Sequence, residues 1–295
     1  MNTSKTILFF GTDDFSAAAL RHLIQGGYSI AAVVTQPDRK SGRGQQLQKP
    51  AVKILAEAHG IPVWQPASLH EIAENIRSLQ PITGVLSSFG RIIPNDILAL
   101  FEPGIINVHP SVLPAYRGPT PIEAAILNGD VEVGVSLMKL VAKMDAGPVY
   151  AQVTYPLDGT ETQADLYDRL GEYGGALLTQ YLPRILNGTL EPKPQDDTLA
   201  SYTNLLTKAD ATPNPSDWTA EALARKVRAH TVYPKTKLTL LGQLVIINAA
   251  HVGDAQSDGL LVHCKDNTVL VIDMVVAPSG KTMSADDFMR GYGLK

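Results

Sequence analysis

Asn107 and His109 stand two residues apart in the stretch NVHPSVLPAYRG, and Asp145 follows in KMDAG. These side-chain types can share one task. A carboxamide donates a hydrogen bond at any pH. An imidazole carries a proton to or from a reacting group. A carboxylate beside it orients the ring and favours its charged form. Together they could polarise a carbonyl, hold a developing oxyanion and deliver a proton. That chemistry suits acyl transfer to an amine and requires no nucleophilic Ser or Cys. Each residue alone has a plainer, structural reading. Two features weigh against it: side chains at i and i+2 share one face of a strand, and Gly147 lets backbone or ligand come close to Asp145.

Other motifs fall short of a chemistry. Ser111 lacks the G-x-S-x-G surroundings of a nucleophile elbow. FGTDDF is not G-x-G-x-x-G, so a dinucleotide fingerprint is missing. The glycines of GRG at 42–44 are not followed by Gly-Lys-Ser/Thr. His109 and Asp145 have no further ligands at metal spacing, so no metal is expected. Cys264, the one cysteine, excludes an internal disulfide and a Cys-rich zinc site. In LLVHCKD it reads as a small packing residue of a strand.

The elements that must position the three residues follow from periodicity. Lys5–Phe10 is a short apolar run, Thr12 or Asp13 can cap a helix, and Phe15, Ala19 and Leu23 recur at helical spacing. SIAAVVTQP, IPVWQP, ITGVLSSFG and GIINVHP read as further strands, with helices over Ala51–His59 and ASLHEIAENIRSL. The alternation predicts an α/β, doubly wound, mostly parallel sheet, whose ligands bind beyond the carboxyl ends of the strands. Asn107 and His109 lie at such an end. VGVSLMKLVAKMDAGPVYAQVTYPL reads as two strands around the loop that carries Asp145. A long helical segment follows, interrupted at Gly174-Gly175.

The predicted division is 1–189 catalytic domain, 190–209 linker and 210–295 C-terminal domain. The linker is polar and Pro-rich. The last part holds one short helix and several short alternating runs, which suggest a small barrel or sandwich. In that helix Leu223 and Val227 share one face and Arg225 and Arg228 lie opposite. This is either a solvated face or an RNA-backbone contact. Loop 38–49, with Arg39, Lys40, Arg43 and Lys49, is likewise either solvated or a grip for a polyanion. Over 295 residues, 44% are hydrophobic, 18% are charged and the net charge is −4. Those values describe an ordinary globular protein without a whole-molecule positive field. The N-terminal apolar run is too short for a secretory signal, and no run reaches the roughly 18 apolar residues of a membrane span. A cytoplasmic location is expected.

NVHPSVLPAYRG and PIEAAILNGDVEVGVSLMKLVAKMDAGPV resemble the core of the folate-dependent formyltransferase family. GTDDFSAAAL, VVTQPDRKSGRGQQLQKPAVKILAEAHGIPVWQP, LYDRLGEYGGALL and SDWTAEALARKVRA extend the resemblance over nearly the whole chain, towards the branch acting on methionine carried by initiator tRNA. The resemblance implies a Rossmann-like formyltransferase domain, an OB-like C-terminal domain that holds tRNA, and catalytic roles for Asn107, His109 and Asp145. It implies 10-formyltetrahydrofolate as formyl donor, contacted by Phe89, Gly90, Ile92, Ser111, Val112, Leu113 and Pro114. Arg39, Lys40, Arg43, Lys208, Arg225 and Arg228 become candidates for the tRNA, and a monomer is expected. The alternatives within the same core are an amino-sugar nucleotide or glycinamide ribonucleotide as acceptor, and hydrolysis of the formyl-folate. A catalytically silent folate- or RNA-binding protein is the alternative from outside enzymology.

Overall fold

Residues 6–41 and 46–293 are described in the computed structural model of the chain. The apolar run that begins the chain forms β1 (Thr6–Phe10), and Asp13 ends the following turn by accepting a hydrogen bond from Ser16 N, which caps α1 (Asp14–Gln25). Then come β2 (Ile30–Val34), β3 (Arg39–Ser41), β4 (Gln46–Gln48), α2 (Ala51–Ala58), β5 (Val63–Trp64), α3 (Ala73–Ser78), β6 (Ile82–Leu86), α4 (Asn95–Leu98) and β7 (Ile105–His109). After α5 (Pro121–Asn128), β8 (Glu132–Lys139) and β9 (Val149–Pro156) complete a seven-stranded sheet in the order β5-β2-β1-β6-β7-β8-β9. Strands β5, β2, β1, β6 and β7 pair in parallel, and β8 runs antiparallel to β7. The sheet is thus mostly parallel, and β6 and β7 are buried at every position, the pattern of strands covered on both faces.

The chain divides into two compact units. The first comprises Met1–Pro121, Glu132–Tyr155 and Tyr167–Thr203 and contains this sheet. One of its cores gathers Leu8, Phe10, Val34, Ile82, Phe89 and Ile105 around β1 and β6. The long helix α6 (Gln163–Leu186) is continuous, where its two adjacent glycines predict a break. The reason is close packing. A Cβ on Gly174 would lie 2.7 Å from Val108 Cγ1, and one on Gly175 would lie 2.4 Å from the His22 ring. The glycines lower helix propensity but admit neighbours that no other residue could.

The second unit comprises Ile122–Val131, Pro156–Leu166 and Asn204–Lys295. Its antiparallel sheet is built from β10 (Lys237–Leu240), β11 (Gln243–Gly253), β12 (Leu260–His263), β13 (Val269–Val276) and β14 (Thr282–Ser284). Two amphipathic helices, α7 (Ala220–Ala229) and α8 (Ala285–Tyr292), bury Leu223, Val227 and Phe288 with Val245, Leu270 and Val275 of the sheet. Cys264 lies in this core, its thiol pushed up by burial. Among the described residues no helix is long and apolar enough to cross a membrane.

Candidate active site

Strand alternation puts Asn107 and His109 on one face at the carboxyl end of β7, and both are 5% exposed. Asp145 reaches them from the loop between β8 and β9. Its Oδ1 accepts from Asn107 Nδ2 at 3.4 Å, and its Oδ2 lies 3.9 Å from His109 Nδ1. The same Oδ2 accepts from the Gly118 N–H at 2.8 Å. The three residues expected to act together are therefore brought together. The backbone of Asp145 is left-handed (φ +45°), a conformation that Asp adopts more readily than most side chains do. Gly147 is needed for the loop itself: a Cβ there would lie 1.8 Å from the Lys139 carbonyl oxygen.

His109 Nε2 is 2.9 Å from the Tyr116 carbonyl oxygen. A carbonyl can only accept, so Nε2 carries the hydrogen. Nδ1 then faces the carboxylate across a gap too long for a direct hydrogen bond. The ring nitrogen open to proton exchange is Nδ1.

The residues after His109 form a braced turn. Ser111 Oγ donates to Ala115 O at 2.6 Å, and Leu113-Pro114 is a cis peptide. Ser136 Oγ donates to Ser111 O at 2.6 Å and accepts from Leu113 N at 3.0 Å. Gln152 Nε2 donates to Leu113 O and Ser136 Oγ, at 2.8 and 2.9 Å. Ser111 and Leu113 are buried, and Val112 and Pro114 are half-buried.

Of the second expected folate segment, Gly90 and Ile92 are exposed, but Phe89 is 1% exposed and meets Phe10 edge-on at 5.4 Å. The Phe89 ring is committed to the core, where the sequence reading has it contacting the folate. Its carbonyl accepts from Thr12 Oγ1 and Gln36 Nε2, each at 3.1 Å. The polar Ser87-Ser88 pair before it serves Asp13 and Ser16: Ser88 Oγ donates to Asp13, and Ser16 Oγ to Ser87 O. Burial pushes the Asp13 carboxyl up, against the hydrogen bonds from Ser88 and Ser16.

The expected tRNA contacts are spread over both units. In the first, Arg39 and Lys40 are exposed on β3, which pairs with β4 as a two-stranded ribbon where a loop is expected. Arg43 lies outside the described residues. In the second, Lys208 is exposed, whereas Arg225 and Arg228 are partly buried. Arg225 donates to Leu127 O at 3.1 Å and Glu221 Oε1 at 2.8 Å. Burial pulls the Arg228 guanidinium down, and the like charge of Arg225 adds to this.

Sequence reasoning missed Arg117, Ser136, Gln152 and Gln195. Arg117 is fully buried, and its guanidinium donates to Gln195, Asp197 and Tyr202. Burial disfavours its charge, but the bonds to Asp197 and Tyr202 outweigh that and hold it above its ordinary value. In the sequence Arg117 is only the end of the stretch NVHPSVLPAYRG, and nothing local marks it as buried; its partners follow from the fold, because a buried guanidinium must be paired. Among the described residues no three His, Cys, Asp or Glu side chains converge as a metal site.

Comparison with known proteins agrees with this architecture. Residues 5–182 match the family model described as formyl transferase, and residues 207–293 match that described as formyl transferase, C-terminal domain. The chain is 38% identical over 303 residues to the methionyl-tRNA formyltransferase of Halalkalibacterium halodurans, covering 97% of this chain and 95% of that one. It is 41% identical over 250 residues to the methionyl-tRNA formyltransferase of Chloroflexus aggregans, covering 83% and 80%. Among solved structures, the sugar 3N-formyl transferase WlaRD, in the presence of dTDP and 5-N-formyl-THF, superposes with a TM-score of 0.68 at 18% identity, over 92% of this chain and 98% of that one. HypX from Aquifex aeolicus superposes with a TM-score of 0.69 at 16% identity, over 98% of this chain and 49% of that one. At those identities the likeness to the solved structures is one of fold.

Proposed function

The chain belongs to the methionyl-tRNA formyltransferase family, and from that premise we propose how its residues carry out the reaction. The protein transfers a formyl group from a formyl-tetrahydrofolate to the α-amine of methionine esterified to initiator tRNA. In our reading the donor is 10-formyltetrahydrofolate, and no metal takes part.

The amine attacks the formyl carbon, and negative charge gathers on the formyl oxygen. The Asn107 amide suits that oxygen, because its bond to Asp145 at 3.4 Å is long and readily exchanged for a stronger one. The attacking nitrogen must lose a proton and the departing N10 must gain one. His109 Nδ1 is the atom for this traffic, since Nε2 is engaged by Tyr116 O. The Asp145 carboxylate lies 3.9 Å from that nitrogen and faces it across the site. Holding donor and acceptor together supplies much of the acceleration. Ser111, Val112, Leu113 and Pro114, with Gly90 and Ile92, form the proposed folate contacts. The single observation that carries this mechanism is the meeting of Asn107, His109 and Gly118 N–H around the Asp145 carboxylate.

For the tRNA, the exposed Arg39, Lys40 and Lys208 are the contacts with most support, and Arg43 joins them from its place in the sequence. Residues 1–189 are assigned to catalysis and 210–295 to tRNA, with 190–209 between them. The proposed setting is a cytoplasmic monomer.

The test supplies labelled formyl-folate with methionyl-tRNA, with amino-sugar nucleotides, with glycinamide ribonucleotide, and with no acceptor. Label on methionyl-tRNA is expected. Label found on another amine, or only in formate, replaces this reading with a different transferase or a hydrolase.

A further inference from the structure

We propose that Gln195 is a positioning residue for formyl transfer, holding the main chain at Asp145 so that its carboxylate meets Asn107 and His109; this rests on the catalytic reading of Asp145. Gln195 Nε2 donates to the carbonyl oxygens of Asp145 at 2.8 Å and Gly147 at 2.7 Å. Its Oε1 accepts from Arg117 Nε at 3.1 Å and Nη2 at 2.9 Å. Both N–H groups and both lone pairs of the carboxamide are therefore used.

The placement matters because of what flanks Arg117. The Tyr116 carbonyl holds His109 Nε2, and the Gly118 N–H holds Asp145 Oδ2. One tripeptide thus grips both titratable members of the site through its backbone. Its central side chain returns, through Gln195, to the Asp145 carbonyl. The resulting ring runs from the Asp145 carboxylate through Gly118, Arg117 and Gln195 back to the Asp145 main chain. A left-handed Asp is strained, and fixing its carbonyl fixes the peptide plane that aims its side chain.

The rest of the segment is tied to the same loops. Lys193 and Val149 exchange backbone hydrogen bonds at 2.7 and 2.8 Å, and Asp197 bridges Arg117 and Lys143. Ser201 O accepts from Arg117 N at 2.9 Å, and Arg117 O accepts from Thr203 N at 2.8 Å. Residues 193–203 therefore act as a frame for the site, although their polar, Pro-rich composition reads as a linker.

The deciding experiment is steady-state kinetics of Gln195→Glu in the full chain. The substitution keeps size and the pairing with Arg117 but replaces the amide nitrogen and its two N–H donors with one carboxylate oxygen that repels the two loop carbonyls. A fall in kcat of about tenfold or more is expected, with KM for tRNA and folate within about threefold of the parent. The second arm is Asp145→Ala, alone and with Gln195→Glu. If Gln195 acts through Asp145, the double variant is no slower than Asp145→Ala. Additive losses, or a parental kcat in Gln195→Glu, overturn the proposal while leaving Asp145 catalytic. A parental rate in Asp145→Ala instead overturns the catalytic reading beneath it. Should Gln195→Glu not fold, Gln195→Met, which keeps the length and removes the amide, is read in the same way.

Discussion

The Tyr116 carbonyl oxygen sits 2.9 Å from His109 Nε2 and so sets which ring nitrogen carries hydrogen. In the neutral ring this leaves the lone pair on Nδ1, facing Asp145. Nitrogen-15 spectroscopy of the labelled imidazole should therefore show the neutral His109 ring as the Nε2–H tautomer. A neutral ring carrying its hydrogen on Nδ1 would move the proton traffic to the other nitrogen and remove the mechanism given above.

Asn107→Ala, His109→Ala and Asp145→Ala should each lower kcat by about 10²-fold or more, the scale of losing an oxyanion donor or a general acid–base. The three act around one carboxylate, so their losses should not add. Asn107→Asp retains the shape but places a second carboxylate beside Asp145 and should be no better than Asn107→Ala. Any single variant that turns over at the parental rate takes its residue out of the chemistry.

Gly147→Ala should cost about 3 kcal/mol or more, measured as loss of unfolding free energy, because the added methyl meets a backbone oxygen that cannot rotate away. The damage should extend to kcat, since Gly147 O is also one of the Gln195 anchors. Gly159, whose φ is +87° and whose Cβ position meets nothing within 4 Å, makes the comparison. Alanine there should cost only about 1 kcal/mol of backbone strain and leave turnover alone. Equal costs at the two positions would show that the approach at Gly147 is not tight.

Much of this site is legible in the sequence because it depends on short-range rules. The i, i+2 spacing on a strand puts Asn107 and His109 on one face whatever surrounds them, and strand-helix alternation puts that face at the binding edge of the sheet. Ser284 caps α8 by accepting from Asp287 N, a helix that the short alternating runs of the C-terminal part do not predict. Other features depend on tertiary approach and leave no local mark. Gly174 and Gly175 read as a helix break because propensity is local, whereas their partners Val108 and His22 come from distant segments. Gln195 looks like one polar residue of a linker until its four hydrogen bonds are seen. Arg225 and Arg228 have the spacing of a charged helix face, but Arg225 is already bonded to Leu127 and Glu221.

That difference divides the cationic residues by experiment. Arg39→Ala with Lys40→Ala should weaken tRNA use, and should reduce the slope of log affinity against log salt by roughly one to two if both meet phosphates. Folate KM should not change. Arg43→Ala should act in the same direction. Arg225→Ala should instead show its effect as lost stability of about 1 kcal/mol, from its broken hydrogen bonds, with little change in salt slope. An unchanged salt slope in the Arg39/Lys40 pair would make β3 an ordinary solvated ribbon.

His230 gives the second unit a dependence on pH. It is 1% exposed, and neither ring nitrogen has a hydrogen-bond partner among the described residues. Burial first, and then the nearby Lys226 ammonium, pull its pKa from 6.5 to about 4, against a smaller pull from Asp210. Asp210 is itself held below 3.8 by hydrogen bonds from Thr207, so it stays charged in that interval. Between 6.5 and about 4 the unfolded chain binds a proton that the folded one excludes. Stability from this group is therefore complete above pH 6.5 and is lost as pH falls towards 4, by of order 3 kcal/mol at the limit. His230→Phe keeps a buried ring and has no proton to bind. Chemical denaturation of parent and variant at pH 7.5, 6, 5 and 4.5 should show the parent losing stability faster on acidification. Parallel curves would mean that the ring finds a proton partner in the folded state.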